Sequence, residues 1–165
     1  MAEIALVRLD SRLIHGQVCT AWLNGTQANR IIVVDDSTAK DKFLSQILLM
    51  AAPKGIKTEI MTSDTAAKEW KENQIGTGKI LLLFKSVEMA HCAYFKGFDY
   101  PEIQIGGIGG GKNKKAVVGA ISINESECKL LQELNDAGCN VYFQILPHNG
   151  KTSYQEVKNK FFADI

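Results

Sequence analysis

Short apolar runs alternate along this chain with stretches in which apolar residues recur every three or four positions. The runs are Ile4–Leu9, Ile31–Val34, Ile80–Phe84, Ile103–Ile105, Val117–Ile123 and Val141–Ile145, and Lys57–Met61 alternates apolar with polar. Ile80–Phe84 is apolar through its whole length, as a strand covered on both faces must be. Between the runs lie helical patterns. Val18, Ala21 and Trp22 share one face, and Phe43, Leu44, Ile47, Leu48 and Ala51 form an i, i+3, i+4 stripe suited to packing on a core. Pro53 and Gly55 stop that second helix. Ala66, Ala67 and Trp70 predict another helix closed by Gly76, and Val87–Phe95 a further one. Asn124 with Glu127 has the spacing of a capping box, opening a helix through Cys128, Leu131 and Leu134 that ends at Gly138.

Strand, helix, strand in regular succession predicts a three-layer α/β fold: an open, mostly parallel sheet of about six or seven strands with helices on both faces. At 165 residues the chain is expected to be a single domain, 1–165, without repeats or linkers.

Charge and cysteine usage narrow the function. The 19 basic residues are balanced by 18 acidic ones, so the chain has no electrostatic case for nucleic acid. The local run Lys112, Lys114, Lys115 reads as a solvated loop. Cys19, Cys92, Cys128 and Cys139 form neither C-x-x-C nor a zinc spacing, and read as reduced thiols. The N-terminal run, with Glu3, Arg8 and Asp10, does not have the form of a signal peptide, and no apolar stretch approaches 18 residues.

The most informative segment is Leu9-Asp10-Ser11-Arg12-Leu13-Ile14-His15-Gly16-Gln17-Val18, between the first strand and the first helix. Ligands in open α/β sheets bind beyond the carboxyl ends of the strands, which is where His15 falls. Its imidazole has a lone pair near neutral pH and can carry a phosphoryl group as a labile phosphoramidate. Arg12 can offer a guanidinium fork to phosphoryl oxygens. The amides from Gly16 and Gln17 onward open a helix, and helix N-termini bind anions. Asp10 could hold Arg12, or bond an imidazole nitrogen and fix its tautomer.

The run Arg8 to Val18, with Trp22 one turn on, resembles the phosphorylation site of enzyme IIB domains of the bacterial phosphotransferase system, mannose–fructose–sorbose family. Val33-Val34-Asp35-Asp36, Met50 to Lys57, Ile80–Lys85, Ile105-Gly106-Gly107 and the helix near 124–134 follow in family order. The resemblance implies a sugar-specific phosphotransferase component working in the cytoplasm, peripheral to a membrane permease. It implies that His15 is a phosphohistidine intermediate on Nδ1, with Arg12 contacting phosphate beside Asp10. The phosphoryl group would come from phosphoenolpyruvate through enzyme I, HPr and a phospho-IIA partner. It would leave to a sugar at the IIC and IID subunits, N-acetylgalactosamine or another amino sugar, else mannose, fructose or sorbose. No cofactor or metal is implied, and a homodimer would be unsurprising for the family. Ser11 stands where the family often has a second acid, and Gly106–Gly111 is richer in glycine than the family pattern.

Other residues carry further expectations. Asp35, Lys85 and Ser86 follow buried strands, so they are candidate phosphate-pocket residues on His15's edge of the sheet, with helix capping by Asp36 or Ser86 as the alternative. Gly106–Gly111 followed by Lys112 approximates a phosphate-binding glycine loop, which makes a nucleotide-binding regulatory module the alternative function. Asn113 stands where that loop needs a hydroxyl, and the next segment reads as strand. His91 and His148 lack the helical spacing of metal ligands.

Overall fold

The computed structural model describes residues 2–165. Its central strand is β1 (Glu3–Asp10), paired in parallel with β4 (Lys79–Phe84) on one side and β5 (Glu102–Gly107) on the other. Outward from β4 lie β2 (Arg30–Val34) and β3 (Lys57–Met61). Outward from β5 lie β8 (Asn140–Phe143) and the two-residue β9 (Thr152–Ser153), giving the order β3-β2-β4-β1-β5-β8-β9. Only β9 runs antiparallel, against β8. The three-layer, mostly parallel α/β sheet expected from the chain is therefore the fold.

Helices close both faces. Ile31, Val33, Leu81 and Leu83 point toward α1 (Gly16–Thr26) and pack with its Trp22 and Leu23. The alternate residues Ile32, Val34, Ile80, Leu82 and Phe84 point the other way. There they meet α4 (Ser63–Asn73), α5 (Val87–Phe95), α6 (Glu125–Asp136) and α7 (Tyr154–Phe161) through Ala66, Ala90, Leu131 and Val157. That two-sided burial is why these strands are continuously apolar. The capping box forms as the spacing predicts: Asn124 Oδ1 accepts from the Glu127 amide at 2.7 Å, and Glu127 Oε1 from the Asn124 amide at 3.0 Å.

The structure departs from the sequence reading in three places. Val117–Ile123 is not one strand of the sheet. It breaks at Gly119 into β6 (Lys115–Val118) and β7 (Ile121–Ile123), an antiparallel pair outside the main sheet. The second helical stripe becomes α2 (Asp36–Lys40) and α3 (Lys42–Ala51), but α3 buries none of its residues, and Phe43 and Met50 are 72% and 85% exposed. Periodicity identified its apolar face, yet only Leu48 turns against the core. Finally, α7 and β9 are not marked by the apolar pattern, because the 152–161 segment buries only Tyr154 and Val157, with Phe161 partly buried against the core.

Candidate phosphoryl-transfer site

β1 delivers its chemistry by simple alternation. Leu6, Arg8 and Asp10 are two residues apart and so face α1, while Val7 and Leu9 face the other layer. Beyond Asp10 the chain turns sharply. The Leu13 amide donates to the Asp10 carbonyl at 2.9 Å, and Leu13 takes a left-handed φ of 57°. Leu13 and Ile14 are buried against Trp22 and Leu23. Anchoring these two side chains turns His15 outward, so its imidazole stays 19% exposed above the buried Asp10.

His15 Nε2 lies 3.0 Å from Asp10 Oδ2. A carboxylate only accepts hydrogen bonds, so the imidazole proton sits on Nε2 and the neutral ring keeps its lone pair on Nδ1. Asp10 is itself held. Its Oδ1 accepts from the Arg12 amide at 3.1 Å, and its Oδ2 accepts from Arg8 Nη2 at 3.3 Å. Of the two roles expected for Asp10, the structure shows the imidazole bond and not the Arg12 side-chain pairing: the guanidinium partner is Arg8, which shares its strand face, and Arg12 gives only its backbone amide. Arg12 lies past the turn, exposed, and lines a groove with Ser11, Gly107, Ala120 and Ile145.

His15 occupies the N-cap of α1 with no side-chain cap, whereas every other helix among the described residues has a capping side chain. The first-turn amides, from Gly16 and Gln17 on, are left without a side-chain acceptor, and no acidic residue stands in that turn. Such amides favour an anion. Gly16 has a φ of +42°, and open space surrounds the place of its missing Cβ.

The other candidates divide. Leu9 pairs with Phe84, so Lys85 ends one residue beyond that pair on the same edge as Asp10, and is exposed. Asp35 commits one carboxylate oxygen to capping α2: Oδ2 accepts from the Thr38 amide at 3.0 Å, Thr38 Oγ1 at 2.6 Å and Ser37 Oγ at 3.1 Å. Ser86 caps α5 by accepting from the Met89 amide at 3.1 Å. Asp36 reaches across to the Ser63 amide at 2.7 Å instead of capping its own helix. The glycine loop is corrected too. Gly106 and Gly107 belong to β5, and the chain runs on into β6, so no helix N-terminus follows to receive a nucleotide's phosphates. Its lysines are dispersed, Lys114 to Glu127 at 3.3 Å and Lys115 to the Phe161 carbonyl at 2.8 Å. His91 stacks near Phe95 at 4.6 Å, and no group of three acidic, His or Cys side chains among the described residues could hold a metal ion.

Sequence reasoning missed Arg8, Gln104 and Gln144 as a buried set. The signal was present: each is a polar residue at an alternate position of an otherwise apolar strand pattern. Arg8 Nη1 donates to Gln104 Oε1 at 2.5 Å and to the Gln144 carbonyl at 3.1 Å. Burial lowers the guanidinium's pKa, and Asp10 opposes that shift.

Fold and loop together define an open α/β domain that presents a histidine beyond its central strand, with one ring nitrogen tied down and the other free. Residues 4–163 match the family model described as PTS system sorbose subfamily IIB component. The fructose-specific EIIB component of Bacillus subtilis is 26% identical over 157 residues, covering 95% of this chain and 96% of its own. The crystal structure of manxB from Thermoanaerobacter tengcongensis superposes with a TM-score of 0.90 at 35% identity, covering 98% of each chain. That of the IIBSor domain of the sorbose permease from Klebsiella pneumoniae gives 0.88 at 26%, covering 96% of this chain and 98% of that one. The chain belongs to the sorbose-subfamily IIB components of the phosphotransferase system, proteins that are phosphotransferases as a class.

Proposed function

We propose that His15 is the phosphoryl carrier of a sugar-specific IIB component, loaded by a phospho-IIA partner and discharged onto a sugar. The supporting observation is the Asp10–His15 hydrogen bond, which leaves Nδ1 as the ring's only nucleophilic nitrogen. In loading, the Nδ1 lone pair attacks the phosphorus of the donor's phosphohistidine. The donor's P–N bond breaks, and its electron pair stays on the donor imidazole. In discharge, a sugar hydroxyl oxygen attacks the phosphorus, the P–Nδ1 bond breaks with its electron pair returning to Nδ1, and the hydroxyl proton leaves to solvent.

The arriving group is dianionic, and this chain's part is to position it and meet its charge. Arg12 and the first-turn amides of α1, from Gly16 and Gln17, supply the donors, with Lys85 adding charge at the rim. The chain acts at the cytoplasmic face of the IIC and IID subunits. No helix among the described residues is long and apolar enough to cross a membrane. The acceptor is a hexose, mannose, fructose or sorbose, or an amino sugar such as N-acetylgalactosamine.

Incubation with phosphoenolpyruvate, enzyme I, HPr and the IIA partner, followed by intact mass, tests this. One acid-labile phosphoryl group on the wild type and none on His15→Ala is the expected result. A His15→Ala protein that still carries the group overturns the reading.

A further inference from the structure

Arg8 is only 2% exposed, too deep to meet a phosphoryl group on the outward nitrogen of His15. Its guanidinium is nonetheless fixed from several directions. Besides Asp10, Gln104 and the Gln144 carbonyl, the Trp22 ring covers it, with Cζ 5.3 Å from the ring centroid. The two glutamines are themselves placed: Gln104 Nε2 donates to Gln144 Oε1 at 3.1 Å, and Gln144 Nε2 to the Asn149 carbonyl at 2.7 Å. A Cβ on Gly106 would fall on the guanidinium itself. Strands β1 and β5, helix α1 and the segment just after β8 thus converge to hold one buried cation.

The reason lies in the conflict that Asp10 creates. Its hydrogen bond aims the ring, but a bare carboxylate 3.0 Å from an imidazole also favours the imidazolium. An imidazolium carries protons on both nitrogens and has no lone pair for the attack. Arg8 meets the same oxygen, Oδ2, that His15 uses. An opposite charge there weakens the carboxylate's pull on a second proton without breaking the hydrogen bond.

We propose that Arg8 is a positioning residue that acts through Asp10, fixing the carboxylate beneath the His15 ring and offsetting its charge so that the ring stays aimed and neutral. This rests on His15 being the phosphoryl acceptor. Few other groups face the pair. Arg12 turns only its backbone amide to Asp10, Lys85 is exposed, and Cys19 and Tyr142 are the remaining titratable neighbours. Burial pushes the Cys19 thiol up and the Tyr142 phenol up to about 12, so both are neutral near pH 7.

The test follows two readouts against pH in wild type, Arg8→Lys, Arg8→Gln and the double variant Arg8→Gln/Asp10→Asn: the rate of phosphoryl uptake from phospho-IIA, and the titration of the His15 ring by NMR. In Arg8→Gln both midpoints should move up by about one pH unit, so uptake falls about tenfold at acidic pH and recovers in alkali. Arg8→Lys keeps the charge and should keep the wild-type profile. The double variant removes both charges and should also keep the wild-type midpoint. An Arg8→Gln protein that is slower by the same factor at every pH overturns the proposal. If Arg8→Gln does not fold, a double variant with a raised midpoint overturns it. Wild-type protein that takes up no phosphoryl group overturns the acceptor reading instead, while the ring titration still decides the role of Arg8.

Discussion

Gly107 and Asp10 occupy each other's space. They pair across β5 and β1, and a Cβ added to Gly107 would sit 2.9 Å from the Asp10 carboxylate. The Gly107 carbonyl also accepts from the Ser11 amide at 2.7 Å, so the backbone there has little room to retreat. Gly107→Ala should therefore push the carboxylate away from His15. The expected outcome is a loss of about tenfold or more in phosphoryl uptake, with an overpacking cost of about 1–3 kcal/mol by urea denaturation. Wild-type uptake in this variant would mean that Asp10 can shift without disturbing the ring.

Burial separates Arg8, enclosed on β1, from Arg12 in the loop that follows. The Arg12 side chain is exposed, so Arg12→Ala should leave the melting temperature nearly unchanged. Removing one charged donor from the developing charge of transfer should slow uptake by about 10²-fold. Rapid-quench measurement of loading from phospho-IIA checks this, and a wild-type rate would remove Arg12 from the phosphate cradle.

Helices α3 and α6 carry similar apolar stripes with opposite surroundings. Ile47 is 46% exposed, whereas Leu131 is fully buried. Ile47→Ser should change stability by less than about 0.5 kcal/mol. Leu131→Ala should cost about 2–5 kcal/mol, because it opens a cavity in the layer between α6 and the sheet. Equal effects in chemical denaturation would contradict the placement of α3 outside the core.

Alkaline pH should destabilise the protein early. Burial pushes the Cys139 thiol and the Tyr142 phenol up to about 12 and raises the Tyr100 and Tyr154 phenols as well. The folded state holds these protons after the unfolded chain has released them. Stability is therefore intact below about pH 9, where the unfolded thiol begins to titrate, and falls as pH rises toward 12. Each group that is ionised only in the unfolded state contributes a slope of about 1.4 kcal/mol per pH unit. Urea midpoints at about pH 8, 9.5 and 10.5 should drop progressively, and a flat series would contradict the burial of these side chains.

The local features of this chain were legible because local forces set them. The strands at 31–34, 57–61 and 80–84, the capping box of Asn124 and Glu127, and the exposed turn bearing His15 follow from periodicity and capping, which involve only near neighbours in sequence. The partner of Asp10 was half legible. Alternation alone would put both Arg8 and Arg12 on its face, and only the end of β1 at Asp10 leaves Arg8 as the partner.

The remainder needed the assembled sheet. Gln104 and Gln144 lie far from Arg8 in sequence, and they meet it because β5 and β8 lie in that order beside β1. Asp35 and Ser86 cap helices by accepting from the Thr38 and Met89 amides, a role that their place after a strand does not by itself reveal. The stripe on α3 marked an apolar face without saying what covers it, since the core contacts of a helix depend on its neighbours. A sequence fixes which residues can bury, cap or attack. Which charges end up in contact is decided by strand order, because ion pairing acts through distances that only the folded chain defines.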